Sequence, residues 1–91
     1  MTDLAELEQF LTGKGCKLTR HRRVILQALL DLAGWSSARE IHTYVLARNH
    51  KVNFSTIYRN LDALTSIGLL CRVERADAIS YYTLNQASGH H

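Results

Sequence analysis

Hydrogen-bonding side chains gather on one face of a predicted helix in the middle of the chain. Residues 53–64 place apolar side chains at helical spacing, namely Ile57, Leu61 and Leu64. The opposite face and its flank carry hydroxyl, amide, guanidinium and phenol groups: Ser55, Thr56, Asn60, Arg59 and Tyr58. Such groups suit the base edges and phosphates of a DNA major groove. This surface predicts a DNA-recognition helix, and an ordinary amphipathic helix with a solvated polar face is the alternative.

Positive charge is concentrated in a short stretch that opens another predicted helix. The chain has a formal net charge of +3 over 91 residues, yet residues 14–23 contain five basic side chains and no acidic one. The five are Lys14, Lys17, Arg20, Arg22 and Arg23. So dense a cluster attracts polyanions such as nucleic acid. The alternative is a solvated loop followed by an exposed first turn of helix.

Length and composition indicate one small domain. With 91 residues, of which 46% are hydrophobic, the chain can build a single core. No apolar run approaches the ~20 residues that cross a bilayer, and residues 1–15 carry acids where a signal peptide has a basic start. We therefore predict a cytoplasmic location, where Cys16 and Cys71 are free thiols.

Catalytic chemistry finds little support in the sequence. It contains no convincing nucleophile–base pair, no paired carboxylates and no Gly-rich phosphate loop. We therefore predict that the chain is not an enzyme.

Capping signals divide the chain up to Gly68 into four helices. The predicted helices and their N-caps are 3–11 (Asp3 or Thr2), 20–32 (Thr19), 38 to about 49 (Ser37, in a capping box with Glu40) and 54–67 (Asn53). Gly13, Gly34 and Gly68 are predicted to end the first, second and fourth of them. The last two helices and their short connection follow the helix-turn-helix pattern.

Two short segments after the recognition helix have strand character. Residues 69–74 and 79–84 are rich in β-branched and aromatic side chains, and the polar residues 75–78 suit a turn with Arg75 at its tip. The predicted fold class is α+β, mostly helical: a winged helix with a C-terminal two-stranded β-hairpin wing. Residues 1–84 form this winged-helix DNA-binding domain, and residues 85–91 are a polar tail.

Four motifs occur together in a recognisable order and spacing. They are Gly-Cys-Lys-Leu-Thr-x-x-Arg at 15–22, Ser-Ala-x-Glu-Ile-His at 37–42, Ser-Thr-Ile-Tyr-Arg-x-Leu at 55–61 and Gly-Leu-Leu at 68–70. Together they resemble the N-terminal DNA-binding domain of the ferric uptake regulator family of bacterial metalloregulators, over roughly residues 10–91. The resemblance implies a homodimeric, metal-dependent transcriptional repressor that binds an A·T-rich palindromic operator and controls metal uptake genes. A winged-helix module for protein–protein contacts is the alternative function.

The resemblance also implies roles for individual side chains. By analogy, Tyr58 packs against thymine methyl groups, with Ser55 and Thr56 near base edges. Arg59 and Arg22 contact phosphates, and Lys17 enters an A·T-rich minor groove. Thr19 and Arg20 complete the predicted DNA-binding set. The alternative for Tyr58 is a boundary residue that packs on its own domain.

Family members also carry a C-terminal dimerisation and metal-binding domain. Residues 85–91 resemble the start of the hinge to that domain, and His90-His91 fit either a hinge or a tag. We expect the chain alone to be a monomer that binds DNA weakly and carries no metal.

The resemblance bears on the metal as well. Iron and peroxide sensors of the family place ligands where this chain has Trp35 and Thr83, neither of which is a plausible ligand. Zinc uptake regulators are closer, because Cys71 and His90 match two of their ligands, although Asn85 does not match a third. Zn²⁺ is therefore predicted for the full-length protein, with Fe²⁺ or Mn²⁺ as alternatives, unless Cys71 is a buried apolar residue. His21, His42 and His50 show no ligand spacing and receive no role.

Overall fold

Four helices precede a β-hairpin, in the order that the sequence predicts. The computed structural model describes residues 3–48 and 50–85. Its elements are α1 (Leu4–Gly13), α2 (Arg20–Leu32), β1 (Ser36–Ser37), α3 (Ala38–Ala47), α4 (Phe54–Ser66), β2 (Leu70–Glu74) and β3 (Ser80–Leu84). The predicted winged-helix architecture is confirmed, with α4 at the position of the predicted recognition helix and β2–β3 as the wing.

Each helix begins at a side chain that accepts a hydrogen bond from its first turn. Asp3 and Ser37 form capping boxes with the glutamates three residues later. Thr19 accepts from the Arg22 N–H, and Asn53 accepts from the Thr56 N–H. Caps of this kind contribute about 1 kcal/mol each. The predicted N-caps are confirmed, Asp3 being the one used in α1.

Three of the predicted C-terminal boundaries are off by one or two residues. The first helix includes Gly13 and has Lys14 as its C-cap. The third ends at Ala47, and the predicted end at Asn49 lies outside the described residues. The fourth ends at Ser66, and Gly68 follows its C-cap with a φ of 90°. That left-handed conformation costs glycine little, and glycine commonly follows a C-cap.

The sheet has one more strand than predicted. The hairpin pairs β2 with β3 in antiparallel register, from Leu70 opposite Leu84 to Glu74 opposite Ser80. On the other side of β3, Ser36 pairs with Tyr82. The described sheet is therefore three-stranded, in the order β1-β3-β2, and the two-stranded prediction is incomplete. Two consecutive serines carry neither the apolar alternation nor the β-branching that predicts a strand.

A single core joins all four helices to the sheet. Its largest completely buried side chains are Leu11, Ile25, Leu26, Ile41, Val45, Ile57, Leu61, Leu64 and Tyr82. Three of these come from α4 and occupy the apolar face that the sequence predicts. The core therefore fixes the rotation of α4 about its axis and leaves its polar face outside. Over the described residues, the helices are all too short or too polar to cross a membrane.

Asn85 bonds the end of the wing to the segment that directly follows α4. The Asn85 N–H donates to the Leu69 carbonyl at 2.8 Å, and its side-chain amide donates to the Gly68 carbonyl at 3.2 Å. The rest of the predicted hinge, residues 86–91 with His90, lies outside the described residues.

Candidate nucleic-acid interface

The N-terminal half of α4 carries the predicted base-contacting side chains. The Asn53 side-chain oxygen accepts from the Thr56 N–H and from the Ser55 hydroxyl, both at 2.8 Å. Ser55, Tyr58 and Arg59 are exposed, and Thr56 is half-buried. The structure therefore brings these four residues together on one surface of the first two turns.

Arg22 connects the basic cluster to this surface. Its Nε donates to the Asn60 side-chain oxygen at 2.9 Å. Its Nη1 donates to the Lys17 carbonyl at 2.8 Å and to the Cys16 sulfur at 3.1 Å. Asn60 in turn donates to the Thr56 carbonyl at 2.8 Å. The guanidinium is thus bonded within the protein, where it joins residues 16–22 to the recognition helix.

A cleft of about 320 Å³ opens where these groups meet. It is lined by Arg22, Thr56, Arg59 and Asn60. The Arg59 Nε lies 3.5 Å from the Ser55 carbonyl, at the long limit of a hydrogen bond. The cleft thus holds two guanidinium groups, a hydroxyl and an amide. Guanidinium forks match the geometry of phosphate oxygens, so the cleft suits an anion of that kind.

The basic cluster divides between two sides of α2. Arg23 points to α1, where its Nε lies 3.0 Å from a Glu8 carboxylate oxygen. Lys17 and Arg20 are exposed and precede Arg22 in the chain. Thr19 is half-buried and uses its hydroxyl as the cap of α2. Of the predicted set, Lys17, Arg20 and Arg59 therefore offer exposed positive charge, while Thr19 and Arg22 are already bonded internally.

Tyr58 occupies the boundary between α4 and the wing. Its side chain is 36% exposed. Behind it, the hydroxyl of the buried Tyr82 lies 3.4 Å from Asp62. Burial raises the pKa of the Tyr82 hydroxyl, and Asp62 and Tyr58 raise it further. Tyr58 thus adjoins its own domain and also presents its ring to solvent.

Exposed apolar side chains next to Tyr58 were not anticipated from the sequence. Phe54 and Ile79 are each 46% exposed. With Tyr58 and the first residues of α3 they line a groove of about 290 Å³ between the recognition helix and the wing. Phe54 lies three residues before Ile57 and seven before Leu61, on the same apolar spacing, so the sequence gives no signal that it is exposed.

The wing tip carries a positive charge, as predicted. The Arg75 guanidinium lies over the Tyr81 ring, 4.8 Å from its centroid. The turn is closed by the Ala78 N–H, which donates to the Arg75 carbonyl at 2.8 Å, and by Asp77, which accepts from the Ile79 N–H at 2.9 Å. Stacking on Tyr81 restricts the range of positions that this cation can take.

The predicted metal ligands are not brought together within the described residues. Cys71 is half-buried in β2 opposite Thr83, and His90 lies outside the described part. Residues 3–48 and 50–85 contain no group of three or more His, Cys, Asp or Glu side chains that could hold a metal ion. Cys16 and Cys71 are both free thiols, as predicted. The Cys71–His90 pair stays a prediction.

Two histidines without an assigned role contact each other. His21 Nδ1 and His50 Nε2 lie 2.7 Å apart. His42 donates from Nε2 to the Val52 carbonyl, also at 2.7 Å. The sequence gives no signal for the first contact, because its partners are 29 residues apart and share no element.

Comparisons with known proteins find relatives over most of the chain. The model of the ferric uptake regulator family matches residues 13–91. The ferric uptake regulation protein of Synechococcus elongatus is 35% identical over 89 residues, which cover 96% of this chain and 60% of the relative. The zinc uptake regulation protein of Mycobacterium tuberculosis is 32% identical over 60 residues, covering 66% of this chain and 46% of the relative.

Solved structures agree with the sequence comparisons. The crystal structure of the Vibrio cholerae ferric uptake regulator superposes with a TM-score of 0.83 at 26% identity, covering 93% of this chain and 64% of that one. The chain thus spans about 60% of the length of the first curated relative that it matches.

Proposed function

This chain belongs to the ferric uptake regulator family, and we propose that it is the sequence-specific DNA-binding domain of a bacterial, cytoplasmic, metal-responsive transcriptional repressor. The genes it controls are those of metal uptake. Its curated relatives are named for the regulation of ferric and zinc uptake.

The observation that carries this proposal is the polar cleft between α2 and α4. Arg22 and Arg59 converge there with Thr56 and Asn60, beside the exposed first turns of α4. Helix ends rich in hydroxyl, amide and guanidinium groups supply both phosphate and base-edge contacts in a major groove.

We assign the contacts by chemistry and exposure. Arg59 and Arg22 contact phosphates, and Ser55, Thr56 and Tyr58 face the bases, with the Tyr58 ring against thymine methyl groups. Apolar contact with that methyl group distinguishes thymine in the major groove.

The remaining predicted contacts come from the α2 side. Lys17 enters an adjacent A·T-rich minor groove, whose narrow shape attracts cations. Arg20 adds exposed charge near the backbone, and Thr19 orients the first turn of α2. Arg22 acts here both as a contact and as the connection that positions α4.

The operator is an A·T-rich palindrome bound by a homodimer of the full-length protein. A lone domain lacks the effective concentration that a second, linked domain provides, so this chain alone binds weakly and as a monomer. The metal is Zn²⁺, for which the Cys71 thiolate and the His90 imidazole are suitable ligands, with Fe²⁺ or Mn²⁺ as alternatives.

The test is a titration of labelled A·T-rich palindromic duplex at two salt concentrations. We expect weak binding that falls steeply with salt, since phosphate neutralisation releases counterions. Arg59→Ala should weaken binding to all sequences, and Tyr58→Ala should reduce the preference for the palindrome by about 1–3 kcal/mol, the usual cost of losing recognition of one base pair. Arg23→Ala is the matched control: it removes the same charge from a side chain paired with Glu8.

The outcome that contradicts the proposal is equally specific. If Arg59→Ala and Tyr58→Ala bind DNA like the wild type, α4 does not face the duplex. The protein–protein alternative would then account for the exposed polar face.

A further inference from the structure

Two imidazole rings from distant parts of the chain face each other edge to face. His21 lies in the first turn of α2, and His50 lies between α3 and α4. Their ring centroids are 4.9 Å apart, with an angle of 87° between the ring planes. His50 is 9% exposed, and His21 is half-buried. The 2.7 Å between Nδ1 of His21 and Nε2 of His50 is a hydrogen-bond distance.

This contact requires that one ring be deprotonated at the facing nitrogen. In an N–H···N hydrogen bond one imidazole donates and the other accepts with its lone pair. When both rings are protonated, two N–H groups and two positive charges face each other, so the bond is lost. Burial lowers the pKa of His50, and the charges of His21 and Arg20 lower it further. The rings therefore hold the bond at neutral pH.

A metal ion is a poorer explanation of the pair. Imidazole is a common ligand, but across the described chain neither ring belongs to a group of three His, Cys, Asp or Glu side chains. The charge of Arg20 also acts on His50, and a cation there disfavours a second one. The geometry is that of a hydrogen bond between two neutral or singly protonated rings.

The bond is located where it can influence the recognition helix. The His50 N–H donates to the Val45 carbonyl in the last turn of α3, at 3.3 Å. Two residues later the Val52 carbonyl accepts from His42 at 2.7 Å. Asn53 then caps α4. Residues 50–53 are thus attached to α3 by two bonds and to α2 by the His21–His50 bond, directly before the base-facing turns.

The charged groups around His50 are few. From α2 they are His21 and Arg20. On the α3 side, Arg48 is paired with Asp31 at 3.2 Å, and the His42 ring packs edge to face on Phe54 at 5.8 Å between centroids. Lys51, the next residue along the chain, is exposed. None of the described groups that shift the pKa of His50 is acidic, so no negative charge among those groups offsets the protonation of both rings.

We propose that His21 and His50 are a pH-responsive positioning pair for the recognition helix. Their hydrogen bond keeps residues 50–53 and the first turn of α4 aligned with α2, and protonation of both rings releases that alignment. Sequence-specific DNA affinity then falls while the fold is retained. This inference rests on the proposed DNA-binding function and adds a response to acidification to it.

The expected direction is opposite to that of a simple charge effect. Protonated histidines add positive charge close to a polyanion and strengthen non-specific binding. A positioning pair instead weakens specific binding as the pH falls. The ratio of specific to non-specific affinity distinguishes the charge effect from the positioning effect, because added charge strengthens specific and non-specific binding alike.

The first experiment follows the histidine ring and backbone amide signals of the DNA-free protein by NMR as the pH is lowered. We expect His50 to titrate below its ordinary value of 6.5. The amide signals of Asn53 and Phe54 should shift with the same midpoint. If His50 titrates at the ordinary value without moving those amides, the proposal is wrong whatever the protein binds.

The second experiment measures the affinity ratio for palindromic and scrambled duplexes from about pH 7.5 to about pH 5.5, across the range in which histidine titrates. Wild type should lose about fivefold in the ratio, the effect expected when one hydrogen bond is lost. His50→Gln should give a constant ratio, because its amide can bond to His21 without titrating. His21→Gln is the second variant, at a half-buried position on α2.

His42→Gln is the matched control. It removes an imidazole from the same region, but that ring donates to a carbonyl in either charge state. It should retain the pH dependence of the wild type. A wild-type ratio that stays constant or rises on acidification, or a His50→Gln ratio that falls as much as the wild type, would overturn the proposal. Absence of DNA binding at every pH would instead refute the proposed function, and the NMR titration would still decide on the pair.

Discussion

The recognition helix is held from two sides by contacts of different kinds. Toward the wing, the aromatic ring of Tyr82 is completely buried against the core and its hydroxyl reaches Asp62 on α4. Toward α2, the attachment is polar: Arg22 bonds to Asn60, and His21 bonds to His50 just before the helix. The wing side depends on apolar burial, and the α2 side depends on charge and protonation.

The difference shows which side can be adjusted without unfolding the domain. Burial of a large aromatic side chain stabilises the fold at any pH near neutrality. A hydrogen bond between imidazoles exists only in some protonation states, and a guanidinium on a cleft can exchange a protein acceptor for a phosphate. We therefore expect the wing side to set stability and the α2 side to set the response to ligand and solution conditions.

The largest effect is expected from Tyr82→Ala, which tests the wing side. Removal of a buried aromatic ring leaves a cavity and should lower the free energy of unfolding by about 3–5 kcal/mol. Urea denaturation followed by circular dichroism measures it. Tyr82→Phe is the control: it keeps the ring and loses the hydroxyl, with its 3.4 Å contact to Asp62 and its interaction with Tyr58, so a loss near 1 kcal/mol is expected. Equal losses for both variants would mean that the hydroxyl, and not burial, anchors the wing.

A smaller effect is expected when the polar attachment is broken. Arg22→Ala removes three hydrogen bonds from the α2 side. It should cost roughly 1.5–3 kcal/mol in total, the value of one hydrogen bond to a charged group, because Arg22 is half-buried and water can replace part of what is lost. A double-mutant cycle with Asn60→Ala should give a coupling of about 1 kcal/mol. The corresponding cycle for Arg23 and Glu8, an exposed pair, should give less. A coupling of zero between Arg22 and Asn60 would mean that their hydrogen bond does not hold α4 to α2.

A substitution in the turn of the wing should stabilise the wing side of the domain. Ala78 adopts a φ of 65° in the turn that closes the hairpin, a conformation that costs a residue with a Cβ roughly 1–2 kcal/mol. Ala78→Gly should therefore raise the free energy of unfolding by about 0.5–1 kcal/mol, the remainder being offset by the greater freedom of glycine in the unfolded chain. Thermal unfolding detects the change as a higher Tm. Ala76→Gly, at a neighbouring exposed position without a positive φ, should lower it.

The smallest effect on stability is expected from pH, on the α2 side. Burial lowers the pKa of His50 in the folded protein, so the unfolded chain binds the proton more readily. This contribution to stability is therefore complete above the unfolded value of 6.5 and is lost as the pH falls from there toward the lowered folded value. Chemical denaturation at a series of pH values should show this loss in wild type and not in His50→Gln. A loss of the same size in both proteins would assign the pH dependence to other groups.

The features that the sequence predicted well are local ones. Ser37 and Glu40 lie within one turn, and Asn53 precedes the apolar stripe of α4, so their spacing alone indicates a helix start. The predicted base-facing residues likewise share one helix. The attachments of that helix escaped prediction because their partners come from other elements: Asn60 lies 38 residues from Arg22. Nothing in a single sequence indicates which imidazole of a loop meets which imidazole of a helix.

Ser37 caps a helix and also takes part in the pairing of the first strand with the last. It is the N-cap of α3 and, in β1, pairs with Tyr81 of the last strand. The four helices consist of local contacts, which form quickly, whereas this pairing must wait for a long loop to close. We therefore expect the helices to form early in folding and the wing to dock last. On the ribosome, β1 and β2 lack their pairing partner until β3 has emerged. The recognition helix is therefore complete before the sheet that supports it can form.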